Sequence, residues 1–538
     1  MRRIALLSFL VATLVGAAGL PAMAGSASAA AGGGRAGADF NGDGFDDLAV
    51  GVHGETIGTE ANAGAVNVLY GARSGLSAAG DQFWHQDSPG VDDVAEAGDE
   101  FGAALAAGDF NGDGFDDLAV GVRFEDIAAA TDAGAVNILY GSAAGLTATG
   151  DRFLHQDTAG LSDVAEAGDL FGAALAAANF GKGRQADLAV GAHGEDVGAA
   201  TDAGAVNVIY GSPGGLASAG DQFWNQDTTG VRDVAESDDL FGVTLAAANF
   251  GKGRRADLAV GALREDVDTV VNAGAVNVLY GSSRGLNVRR DQFWNQDTTG
   301  VEDVAEASDN FGSALTAANF GKRRRADLAI AVVGEDVGAV TNAGAVNVLY
   351  GSSRGLNVRR DQFWNQDTTG VEDVAEASDL FGVSLAAANL GRGRQADLVV
   401  GVPHEGVGAV GGAGAVNVLY GSQRGLSAAR DRFLHQDTPG VEDVAEAGDN
   451  WGFGLTGLNF GKGRQADLAV GAAQEDLGAA LDAGAVNVLY GSARGVTVAG
   501  DQFWHQDSPG VEDVAETNDE FALALAAPNY GNRPLEPL

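Results

Sequence analysis

A period of 70 residues governs this chain. Phe40, Phe110, Phe180, Phe250, Phe320, Leu390, Phe460 and Tyr530 mark it. Tyr70, Tyr140, Tyr210, Tyr280, Tyr350, Tyr420 and Tyr490 keep the same step, and so do Phe83, Phe153, Phe223, Phe293, Phe363, Phe433 and Phe503. A length of 538 residues alone would argue for several domains. A strict period overrides that argument, because repeats stack into one array and each unit buries its apolar face on its neighbours.

One period, read from Phe101-Gly102, predicts four short strands. Strand A is Ala103–Gly108, small and apolar. An acidic loop follows, and Asp117–Val122 is strand B. After a polar loop, Gly134–Tyr140 alternates as strand C. Gly141–Gly150 reads as another loop, and Asp151–Asp157 as strand D. Short strands separated by turn signals predict antiparallel meanders, and nothing in the period has the spacing of a long amphipathic helix. Strands B, C and D each occur seven times. Strand A has no copy before Asp39, yet a last copy near Leu523 follows the seventh strand D. The count closes if that last strand joins the first three. The predicted fold is all-β: a seven-bladed β-propeller of four-stranded antiparallel blades, its ring closed by the C-terminal strand. An open solenoid would leave both ends exposed.

The A–B loop carries the chemistry. In Asp109–Gly121, oxygens stand at alternating positions on Asp109, Asn111 and Asp113, and Asp117 adds another. Gly112 and Gly114 let the backbone curl around a point. Hard oxygen donors on a tight glycine-bearing loop suit Ca²⁺. An identical loop lies at Asp39–Gly51. With no Cys there are no disulfides or thiolate sites, and the fold relies on its core and on Ca²⁺. A net charge of −42 argues against nucleic acid as a partner.

The Phe-Gly before strand A, the Asp-x-Asn-x-Asp-Gly loop and the Leu-Ala-Val-Gly strand together resemble FG-GAP repeats, which build the seven-bladed propeller of integrin alpha subunits. The resemblance covers nearly all of the chain after its leader. It implies Ca²⁺ in the A–B loop, held by the side chains of Asp39, Asn41, Asp43 and Asp47 with the Phe45 carbonyl. Asp109, Asn111, Asp113, Asp117 and the Phe115 carbonyl repeat the set. An EF-hand is the wrong reading, since position 12 is Val50 or Val120 rather than Glu. The other five loops keep the length and lose the ligands. In Asn179–Asp187, Lys182 and Arg184 enter instead, and such a cation is expected to pair with the remaining Asp. The final Phe-Gly is Phe521-Ala522.

Residues 1–30 read as a secretory signal and cleavage region: Arg2 and Arg3, then the apolar run Ile4–Leu20, then small residues. Residues 31–38 read as a flexible terminus and 39–538 as the propeller. No other stretch is apolar enough to span a bilayer. The expected protein is secreted and monomeric.

The strand C tyrosines and strand D phenylalanines read as core. Trp84 and its equivalents share a slot with Leu154 and Leu434, which argues packing. His85 and its equivalents share a slot with Asn225, which argues a structural hydrogen bond. His53, Arg123 and His193 follow strand B at one repeat position and could together hold a ligand. No Ser-His-Asp spacing and no His-rich cluster emerge. The A–B and C–D loops belong on one face and carry most of the basic residues. The B–C and D–A loops belong on the other and are acidic. The leading expectation is a calcium-binding extracellular scaffold whose partner is a protein or an envelope polymer. The alternatives are a secreted hydrolase, phospholipase-like or polysaccharide-active, and a purely structural surface protein.

Overall fold

The computed structural model describes residues 29–32, 37–321, 324–526 and 529–532. Residues 1–28 of the expected leader and residues 33–36 of the expected flexible terminus lie outside these. Seven four-stranded antiparallel blades form a closed ring. Blade two shows the plan, with Phe101–Gly108 innermost (A), then Asp117–Val122 (B), Ala135–Tyr140 (C) and Thr147–Leu154 (D). Ala524–Leu525 completes blade one by pairing antiparallel with Leu48–Val52, placing Leu525 opposite Val50 and Ala524 opposite Gly51. The described residues contain no helix long and apolar enough to cross a membrane.

Strand B explains the Leu-Ala-Val-Gly run. Its two faces meet different blades. Leu118 and Val120 join a core with Val66 and Val68 of blade one, while Ala119 joins a core with Leu188 and Val190 of blade three. A strand buried on both faces reads as continuously apolar rather than alternating. The cores therefore lie between successive blades. One of them unites blades one, two and seven, placing Phe460 and Val488 with Val50 and Leu525.

The Phe-Gly signature has a geometric cause. Phe171 is fully buried between blades. Gly172 has φ +99°, and a Cβ there would lie 2.3 Å from the carbonyl oxygen of Ala135. Only glycine fits such a backbone approach. In blade seven Trp451 takes the Phe slot and donates from Nε1 to Asn487 Oδ1 at 2.8 Å.

Several boundaries differ from expectation: strand A of blade two begins at Phe101 rather than Ala103, and strand D ends at Leu154 rather than Asp157. Strand D begins at Thr147 rather than Asp151, because Tyr140 pairs with Thr147 across a short turn and a bulge follows between Ile138 and Tyr140. The Thr-Ala-Thr-Gly segment has weak intrinsic signals and takes strand form from its partner. Strand A is shorter in blades six and seven, at Leu385–Ala388 and Leu455–Leu458. A further parallel pair, Ala29–Gly32 with Asn529–Asn532, lies on the channel side of strand A of blade four, where Ala30 faces Ala248.

Candidate metal centre

Each A–B loop begins at the inner strand and returns on strand B, so its tip stands on one face of the ring. The first loop curls on its own amides. Asp39 Oδ1 accepts from Asp43 N at 3.0 Å, and its Oδ2 from Gly44 N at 3.2 Å. Asn41 Oδ1 accepts from Asp43 N at 2.9 Å, and Asp43 Oδ1 from Phe45 N at 2.9 Å. The second loop repeats this through Asp109, Asn111 and Asp113. A carboxylate or amide oxygen that accepts one such bond keeps a lone pair for a further partner. The two loops adjoin: a Cβ on Gly42 would meet the Phe115 ring at 2.7 Å.

Asp47 and Asp117 are wholly buried. Asp47 accepts from Phe40 N and Gly71 N at 2.8 and 2.9 Å, and Asp117 from Phe110 N and Gly141 N at the same distances. Burial pushes Asp47 up to about 9, and the charges of Asp39 and Asp43 push the same way. Burial pushes Asp117 up to about 8, with Asp109 and Asp113 adding to it. A buried carboxylate that the charges of its loop neighbours push further up belongs to a donor set that a divalent ion would relieve. Five hard oxygen donors per loop fit Ca²⁺ and not a thiolate-seeking metal.

The other five loops solve the same charge differently. Burial pushes Asp187 up to about 8 as well, with Arg255 from the next blade only a weaker opposing charge, and Arg255 donates to Asn179 Oδ1 at 2.6 Å. Arg325 reaches Asn249 in the same way at 2.7 Å. The expected direct pairing of the loop lysine with this Asp is replaced by a different contact. The Lys182 ammonium sits 3.8 Å from the centre of the Tyr210 ring and donates to the Gly220 carbonyl, and Lys462 sits 3.7 Å over Tyr490. A lysine on an aromatic face is held by the ring quadrupole rather than by a carboxylate.

Sequence reasoning passes over three sets that the structure brings forward. Position eight of each loop donates its amide to position one of the preceding blade: Asp116 to Asp39, Ala186 to Asp109, and finally Asp46 to Asn459 at 2.9 Å, closing the circle. Asp116 and Asp46 add their carboxylates to the amides of Asp39 and Asn459. On the opposite face, Gln86 donates to Glu125 of the next blade at 2.6 Å, and Gln506 closes the series on Glu55 at 2.7 Å. There Glu236, Asp239 and Glu265 bring carboxylate oxygens within 4.8 Å of one another, as do Glu55, Glu516 and Asp519. Buried Asn137 in strand C donates to the Asp92 carbonyl at 2.9 Å and pins the D–A loop. The signal was present: a polar residue recurring at 70-residue steps inside an apolar run.

His53 and Arg123 each find a carboxylate, and His193 lies within reach of the Arg123 charge. His53 Nε2 lies 3.0 Å from Glu520, and Arg123 Nε donates to Glu100 at 2.7 Å. Burial and the charges of Arg123 and Arg264 push His193 down to about 4. In the His85 slot the hydrogen bond is the backbone amide's, to Ser88 Oγ, while the ring tilts on Phe83 at 5.4 Å.

The FG-GAP repeat family matches residues 33–69 and 101–139, the two units with complete acidic loops. Over 110 residues the chain is 38% identical to phosphatidylinositol-glycan-specific phospholipase D of Rattus norvegicus, a stretch covering 20% of this chain and 13% of that protein. The phospholipase D of the same name from Bos taurus is 36% identical over 108 residues, covering 20% and 13%. Integrin alpha-3 of Cricetulus griseus is 34% identical over 132 residues, covering 24% and 11%. The chain thus spans only about an eighth of the length of these relatives. It carries FG-GAP repeats homologous to theirs and folds them as a seven-bladed propeller.

Proposed function

We propose that this FG-GAP propeller is a secreted, calcium-binding scaffold that presents its loop faces to an extracellular partner. The observation that carries the reading is the contrast among the A–B loops. Two of seven keep Asp, Asn and Asp at positions one, three and five and hold them inward on loop amides. The others begin with Asn, carry Gly at position three, and place Lys or Arg at positions four and six. Calcium bound between strands A and B stiffens the loop and removes mutual carboxylate repulsion. Asp39, Asn41, Asp43, Asp47 and the Phe45 carbonyl form one ligand set; Asp109, Asn111, Asp113, Asp117 and the Phe115 carbonyl form the other.

Metal analysis of the desalted chain should find two Ca²⁺; five to seven would overturn the assignment. Asp113→Ala should remove one ion. With Kd of about 0.1 mM and free Ca²⁺ of about 1 mM, each site adds roughly 1.4 kcal/mol. The variant should therefore melt lower than the parent in calcium and alike in chelator. The similarity to phospholipase D proteins supports a second reading, a hydrolase. Turnover of lipid phosphodiester or polysaccharide substrates, lost on substituting acidic-face carboxylates, would displace the scaffold reading.

A further inference from the structure

Arg184, Arg254, Arg324, Arg394 and Arg464 occupy one A–B loop position in blades three to seven, and all five are exposed. Arg284, Arg354, Arg424 and Arg494 stand at the C–D turns, also exposed. The two rows interleave, because each A–B loop lies beside the C–D turn of the next blade. Arg392 Nε donates to the Arg494 carbonyl at 2.5 Å across blades six and seven. The result is a continuous arc of guanidiniums along one rim.

Among the described residues, none of these nine arginines makes an ion pair. Ion pairs among the described residues include His53–Glu520, Arg123–Glu100, Arg232–Asp291 and Arg264–Asp238, all elsewhere. The nearest loop carboxylates, Asp187, Asp257, Asp397 and Asp467, are buried and accept backbone amides. A chain of net charge −42 thus exposes a local run of one positive sign. Salt screens the global repulsion beyond roughly 8 Å, so the arc acts at contact.

Two observations choose among polyanions. A cleft of about 450 Å³ between blades six and seven is lined by Arg392, Arg394, Gln395, Gln423 and Gln465. Guanidiniums there suit an acidic group, and carboxamides suit neighbouring hydroxyls. The large exposed apolar side chains among the described residues are valines and one leucine, with no aromatic ring for a base to stack on.

We propose that this arc binds an anionic polysaccharide, a sugar polymer bearing sulfate, phosphate or carboxylate groups, laid across blades three to seven. The proposal rests on the extracellular-scaffold reading but not on calcium. Individually weak exposed contacts become effective when many act along one polymer.

The test measures binding of the full chain to labelled dextran sulfate, polygalacturonate, neutral dextran and a thymidine oligonucleotide, at about 50 mM and 500 mM salt, each with and without chelator. Expected are binding of the two acidic polysaccharides at low salt, its loss at high salt, no binding of dextran, and no effect of chelator. Arg394→Glu, Arg464→Glu and Arg494→Glu combined should weaken binding about tenfold or more at an unchanged melting temperature. The inference is overturned if neither acidic polysaccharide binds at low salt, or if the triple variant binds as the parent does. It is overturned also if the oligonucleotide binds as tightly, or if low-salt sedimentation shows salt-reversible stacking of the chain on itself. Two bound Ca²⁺ without polysaccharide binding would sink this inference alone; polysaccharide binding by a chain in which metal analysis of the desalted protein finds no Ca²⁺ would sink the calcium assignment alone.

Discussion

Asp257 repeats in blade four, whose loop lacks the acidic set, the two contacts that Asp117 makes in blade two, and adds a third. It accepts from Phe250 N at 2.9 Å, Gly251 N at 3.2 Å and Gly281 N at 2.9 Å. The last aspartate of every A–B loop therefore ties strand B to the loop entry and to the end of strand C, whatever else the loop holds. Removing it leaves buried amides without acceptors, which costs about 1–3 kcal/mol for each group left unsatisfied. Asp257→Ala should thus destabilise the protein by roughly 3 kcal/mol, and equally in calcium and in chelator. Urea unfolding in both media checks this. An unchanged midpoint would show that Asp257 is dispensable, and a calcium-dependent loss would give blade four a metal site. Asp113 is the contrasting case, an exposed loop residue whose loss should be silent in chelator.

At the scale of the element, the closing strand is the weak copy. Ala524–Leu525 is two residues long where blade two has eight. Its Phe-Gly has become Phe521-Ala522, and Ala522 sits at φ +77° while still donating its amide to Gly51 at 3.1 Å. A left-handed conformation costs a non-glycine residue about 1–2 kcal/mol. Ala522→Gly should relieve that and raise stability by about 1 kcal/mol, less the entropy glycine adds to the unfolded chain. The same change at a strand position of ordinary φ, Ala106→Gly, should lower it. Equilibrium unfolding of the two variants beside the parent decides the matter, and a loss from Ala522→Gly would mean that the methyl packing against Gly471 outweighs the strain.

Over the whole molecule, the acidic face repeats its carboxylate groups around the ring. Burial pushes Asp99, Asp169 and Asp239 up to about 7, and Asp309, Asp449 and Asp519 up to about 6. Glu125 and its equivalents rise as well, through burial and then a hydrogen-bonded Asp. An acid whose pKa is raised on folding stabilises fully below its unfolded value, and that stability is lost as pH climbs through the folded value. The propeller should therefore lose stability from about pH 4 upward, first through about pH 6 to 7 as these aspartates ionise and then on to about pH 10 as the buried glutamates do. Melting in chelator should show a higher Tm at pH 5 than at pH 8, by roughly a few degrees. Fading net repulsion at lower pH acts in the same direction. A Tm that rises from pH 5 to pH 8 would show that these groups ionise freely in the folded ring.

The sequence by itself determined the blade number, the four-strand unit and the closing role of the last strand, because a 70-residue period copies local signals seven times and leaves one strand over. It also located the two acidic loops, since the oxygen spacing of Asp39–Asp47 and Asp109–Asp117 is local. What only the tertiary structure decided lies between blades: Arg255 on Asn179, Gln86 on Glu125, Phe115 against Gly42, and the carboxylate partners of His53 and Arg123. These contacts join residues from different repeats, so no property of one repeat contains them. They exist because closing the ring sets each blade's edge loops against the next, and a period in sequence does not record the angle at which its copies meet.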